Sequence, residues 1–126
     1  MGRYYHGDIQ GKFWFGVQDS TDASHFGGKE TMYKDKARYT FRKKDLLSIQ
    51  SKIGEIQKEL GDNYDKIEEF FADKDAYNTK KLEEYLEVDE RKYQKIMELY
   101  ARLLLGLRIE DCVGRIGKCS FWAELY

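Results

Sequence analysis

The chain has 126 residues, 22 Lys+Arg against 23 Asp+Glu, a formal net charge of -1, and 36% charged against 41% hydrophobic residues. A domain of this length buries about two thirds of the surface its unfolded chain exposes, so a core forms without disulfides or structural metal. No apolar run approaches the roughly 18 residues of a membrane span, and near-neutral charge lacks the cationic excess of a general nucleic-acid binder. Mean hydropathy is low, at -0.76, yet 15% aromatic residues supply large side chains to bury. Met1 to His6 lacks the apolar stretch of a secretory leader, which makes a cytoplasmic location the expectation. Cys112 and Cys119, with only His6 and His25 to join them, make a poor zinc set, so reduced structural thiols and no metal or cofactor are expected.

In chain order, Arg3 to His6 and Lys12 to Gln18 read as an antiparallel hairpin. Phe13, Phe15 and Val17 alternate with Trp14 and Gly16, and Gly7, Asp8 and Gly11 supply the turn. Ser20 to Lys36 reads as loop, punctuated by Gly27-Gly28, with room for one helical turn over Thr21 to Phe26. Arg38 to Arg42 alternates again, with Tyr39 and Phe41 on one face and Arg38, Thr40 and Arg42 on the other, a third strand.

Helices follow. Leu46, Ile49, Ile53, Ile56 and Leu60 form a stripe at three-four spacing, with Asp45 as a candidate cap and Gly61 as a stop. A short helix carries Tyr64, Ile67 and either Phe70 or Phe71, and another is expected near Asn78 to Leu86. Tyr93, Ile96, Tyr100, Leu103 and Leu107 mark a long helix opening near Asp89 and fraying near Gly106, with Gly114 and Gly117 leading into a closing strand over Lys118 to Tyr126. Charge is uneven: Met1 to Lys43 is net +3, Lys44 to Glu87 net -5, and Val88 to Tyr126 net +1.

The expected architecture is α+β: an antiparallel sheet of about four strands, three N-terminal and one C-terminal, packed against a middle of three to four helices as a single domain. Pleating then places Trp14, Trp122 and Tyr126 on the face away from the helices. Tryptophans there imply self-association, a ligand platform, or cover from the loop around Phe26.

The chemical motifs are weak. Gly7-Asp8-Ile9-Gln10-Gly11 resembles the first metal motif of the calcineurin-like metallophosphoesterases, but Gln10 stands where that family has a histidine ligand. The segment is therefore read as a hairpin connection. His6 with Asp8, or His25 with Asp22, would make a carboxylate-oriented base, but Ser20, Ser24, Cys112 and Cys119 are nucleophiles by residue type only. Gly27-Gly28-Lys29-Glu30 and Gly114-Arg115-Ile116-Gly117-Lys118 set glycine beside a cation without phosphate-loop spacing. Arg38, Arg42 and Arg115, with His6 or His25 as acid or base, would be the set for a signalling nucleotide that the protein sequesters or hydrolyses.

The strings Gly2-Arg3-Tyr4-Tyr5, Gly7-Asp8-Ile9, Gly11-Lys12-Phe13-Trp14-Phe15, Val17-Gln18 and Phe26-Gly27 resemble the opening of small proteins encoded by bacteriophages, algal viruses and marine viral metagenomes. The resemblance covers the first quarter of the chain. It implies a viral origin, action in the host cytoplasm and a role by binding, including inhibition of host defence. The resulting expectation is a non-enzymatic protein that binds a host protein or a second copy of itself through Trp14, Trp122 and Tyr126, with the small nucleotide as the alternative partner.

Overall fold

The computed structural model describes residues 4–12, 21–72, 84, 86 and 88–125. Five strands form one antiparallel sheet: β1 (Tyr4–Gly7), β2 (Gly11–Lys12), β3 (Lys29–Met32), β4 (Lys36–Arg42) and β5 (Lys118–Glu124), in the order β2-β1-β5-β4-β3. Four of them have four to seven residues, and β2 has two. The helices are α1 (Leu46–Leu60), α2 (Asp62–Ala72) and α3 (Glu90–Ile116), so the α+β architecture with terminal strands around a helical middle is the one observed. Most of the expected helix near Asn78 to Leu86, and the run from Phe13 to Gln18, lie outside the described residues.

The C-terminal strand takes the middle of the sheet because it alternates without interruption. Cys119, Phe121 and Ala123 are buried beneath the helices, while Ser120, Trp122 and Glu124 point the other way. Tyr5 on β1 and Ala37, Tyr39 and Phe41 on β4 complete the inner face, and Phe121 meets the rings of Tyr5, Tyr39 and Phe41 at 5.7, 5.7 and 6.3 Å. Above this face lie Ile49, Ile53, Ile56 and Leu60 of α1 and Tyr93, Ile96, Tyr100 and Leu103 of α3, as their spacing predicts.

Three expectations are corrected. The predicted loop from Ser20 to Lys36 contains β3, an edge strand whose residues are almost all exposed and so carry no alternation to read. The helical turn inside that loop is real, a 3-10 turn over Asp22–Phe26, but it sends Phe26 into the core against α1 and α3 and does not cover the outer sheet face. The long helix does not fray at Gly106; it continues through Gly106 and Gly114 to Ile116, and Gly117 ends it at φ 87° with its N–H on the Val113 carbonyl at 2.8 Å. Gly106 is required for close approach, since a Cβ there would stand 2.5 Å from the Phe26 ring. The helix opens as expected at Asp89, whose carboxylate accepts the Lys92 N–H at 2.8 Å. Among the described residues no helix is long and apolar enough to cross a membrane.

Candidate binding face

The outer face is built by pairing register. His6 opposes Trp122, Trp122 opposes Arg38, and Arg38 opposes Thr31, so four strands contribute one row across the sheet. Trp122 is half-buried, and its neighbours bury it: Lys36 Nζ lies 4.5 Å and Arg38 Cζ 5.5 Å from the ring centroid, and the Tyr33 ring is 5.0 Å away. Each cation–ring contact contributes about 0.5–1 kcal/mol at an exposed site, enough to hold the side chains over the indole. Tyr33 and Tyr4 remain 46% and 44% exposed, so the ridge offers aromatic surface to a partner.

Charge on this face is one-sided. Lys29, Lys36, Arg38, Arg42 and Lys118 all point outward from β3, β4 and β5, and Glu124 is the acid among them. Glu124 is occupied locally: it accepts the Tyr4 N–H at 2.7 Å and stands 3.3 Å from His6 Nε2. These two residues, with Asp35 and Lys36, border a shallow depression of about 260 Å³. A second depression, of about 480 Å³, lies beside the far end of β4 between the Gly27–Gly28 turn, Lys29, Thr40, Arg42, Lys44 and Asp45.

The sequence-derived set divides as follows. Trp122 is on the outer face as expected; Trp14 and Tyr126 lie outside the described residues. Arg38 and Arg42 share that face with His6, but the proposed nucleotide set does not assemble around them. Arg115 is on α3, where Asp111 accepts from its Nε at 2.8 Å, and this hydrogen bond, then the charge of Asp111, raises its pKa. His25 belongs to the Asp22–Phe26 turn and not to the sheet.

The catalytic pairings fare similarly. Asp8 accepts the Ser120 N–H at 2.9 Å and returns its own N–H to the Ser120 carbonyl, so it fastens the β1–β2 turn to β5. Gly7 is needed there, since at φ 124° a Cβ would sit 2.8 Å from the Ser120 carbonyl oxygen. Asp22 is buried and holds Arg102. Ser24 bonds Glu30 and lies 3.3 Å from the Tyr39 hydroxyl. Both cysteines are buried, and burial, then the Cys112 neighbour, pushes the Cys119 thiol well above its ordinary pKa, the opposite of nucleophile activation. Among the described residues no three His, Cys, Asp or Glu side chains come together to hold a metal.

Sequence reasoning missed Lys36 and Tyr33 as covers of Trp122, and Lys29 and Lys44 as neighbours of Arg42. Lys36 was within reach, because it continues the outward parity of Arg38 and Arg42. The others are joined through strand register, which no single segment contains. Compared with known protein families, curated proteins and solved structures, the chain matches none.

Proposed function

We propose that this chain is a non-enzymatic binding protein that engages a protein partner through the outer face of its sheet, with Trp122 at the centre of the contact. The observation that carries the reading is the Tyr33–Trp122–Lys36–Arg38 ridge, on a face that α1, α2 and α3 leave open. Aromatic and arginine side chains contribute most to binding hot spots because they bury much area for little conformational entropy. The cationic surround selects an acidic surface on the partner.

The resemblance of the first quarter to small viral proteins makes a host protein the partner class and inhibition of host defence the outcome. Self-association takes the form the charges allow. Two outer faces repel one another, whereas the segment from Lys44 to Glu87, net -5, offers a second copy the complementary charge.

Native mass spectrometry of protein recovered gently from its own cells tests the reading. The expected spectrum shows a second polypeptide, of the same or another chain, on the wild type and none on a Trp122→Ala, Arg38→Glu variant with an unchanged circular dichroism spectrum. A partner that stays on the variant rules this face out.

A further inference from the structure

We infer a second site on this chain, an oligophosphate-binding corner at the end of β4, formed by Lys29, Arg42, Lys44 and Lys118. Its basis is a like-charge cluster that the fold sets against one lining carboxylate, Asp45. In the β4–β5 register Arg42 stands directly opposite Lys118, with both side chains on the outer face. Lys29, paired with Thr40, is the diagonal neighbour of Arg42 on the other side. Like charges directly opposite on one sheet face are destabilising, and a corner that retains several gains stability when an anion fills it.

Among the described residues none of these four cations forms a salt bridge. The nearby acid, Asp45, uses a carboxylate oxygen to accept the backbone N–H of Arg42 at 2.9 Å and so anchors the turn into α1. Lys43 adds a fifth ammonium stem, its Cε beside Gly117. The concavity here is about 480 Å³, within the range of small-ligand sites; Lys29, Arg42 and Lys44 line it with Asp45, and Lys118 adjoins it through its pairing with Arg42.

The lining also narrows the ligand. It holds three cations, the Asp45 carboxylate, the Thr40 hydroxyl and glycine backbone, but no aromatic ring to stack on a base. The corner therefore takes a chain of phosphates, whether inorganic or the tail of a nucleoside triphosphate, and is indifferent to the base. It lies four residues along β4 from Arg38, about 13 Å at strand rise, and does not depend on the protein-partner reading.

Thermal shift and calorimetric titration with inorganic tripolyphosphate, ATP and adenosine test it. At about 100 times the dissociation constant, tripolyphosphate and ATP should each raise Tm by on the order of 10 °C, and adenosine should do nothing. Lys29→Gln with Arg42→Gln should weaken both phosphate ligands about tenfold or more, with circular dichroism unchanged. Lys118→Glu separates a site from a merely solvated patch: it should raise the ligand-free Tm by relieving Arg42 while weakening phosphate binding. No shift with either phosphate compound, full affinity in the double variant, or ATP binding more than tenfold tighter than tripolyphosphate would each overturn the assignment.

Discussion

Arg102 Nε donates a hydrogen bond to Asp22 Oδ1 at 3.2 Å, joining α3 to the turn before β3 across 80 residues of sequence. The carboxylate side chain is 5% exposed and the guanidinium 26%, so the pair is shielded from water on the Asp22 side. Removing the arginine leaves a buried carboxylate without this partner, an effect much larger than loss of a surface pair. Asp22 keeps further interactions, so Arg102→Ala should cost about 2 kcal/mol, the loss of one charge-assisted hydrogen bond, in urea unfolding at unchanged m-value. A loss below about 1 kcal/mol would show that the pair is worth no more than a solvent-exposed one.

Gly106→Ala sets two effects of opposite sign against each other. Alanine gains about 1 kcal/mol of helix propensity over glycine. Its Cβ, however, would stand 2.5 Å from the Phe26 ring and 3.2 Å from Ile53 Cγ1. Both neighbours are buried, so neither has space to retreat, and overpacking of this kind costs about 1–3 kcal/mol. Net destabilisation of about 1 kcal/mol is expected by thermal unfolding, and a stabilised variant would contradict the contact.

Trp122 and Phe121 are chain neighbours on opposite faces of β5. Phe121→Ala should cost about 3–5 kcal/mol, because its ring fills the space between Tyr5, Tyr39 and Phe41. Trp122→Ala should cost about 1–2 kcal/mol, the loss of the Lys36, Arg38 and Tyr33 contacts on a half-buried ring. Paired chemical denaturation curves check the ranking, and equal losses would mean that Trp122 is also core.

Tyr100 links α3 to α2. Its hydroxyl donates to Glu68 Oε1 at 2.8 Å, and the Tyr64 ring packs 6.2 Å away. Burial first, then the hydrogen bond and charge of Glu68, push the Tyr100 phenol well above its ordinary pKa of about 10, and Tyr64 is raised for the same reasons. A raised folded-state pKa means stability that is fully present below the unfolded value and is lost as pH climbs through the folded one. The Tyr100 contribution to Tm should therefore be constant up to about pH 9 and fall above about pH 10. Tyr100→Phe should cost about 1 kcal/mol at neutral pH and show a shallower alkaline decline than the wild type. Parallel alkaline slopes for the two proteins would remove Tyr100 as the cause.

Much of the fold is legible along the chain because burial imposes a period. The α1 stripe and the alternation over Arg38 to Arg42 and Lys118 to Glu124 each carry their inner face within a few residues. β3 is not legible: Lys29–Met32 packs little into the core, and its existence depends on β4 offering an unpaired edge. Gly106 and Gly114 read as helix breakers for a related reason. Local propensity counts against glycine, while packing of Phe26 on Gly106 favours it by an amount visible only once α3 meets the turn before β3.

The candidate sites divide along the same line. Trp122 and Arg38 follow from parity, since any pleated strand sends alternate residues to opposite faces, and the order of residues alone is enough to put them outward. The oligophosphate corner follows from register. Lys29 and Lys118 sit in two glycine-bearing segments that are each too weak to suggest a phosphate site, 89 positions apart in the chain. They flank Arg42 because β3 and β5 pair with β4 on its two sides. Periodicity sets which way a side chain points; which charges then become neighbours is a property of strands that meet only in the folded sheet, where backbone hydrogen bonding and the shared core select one alignment.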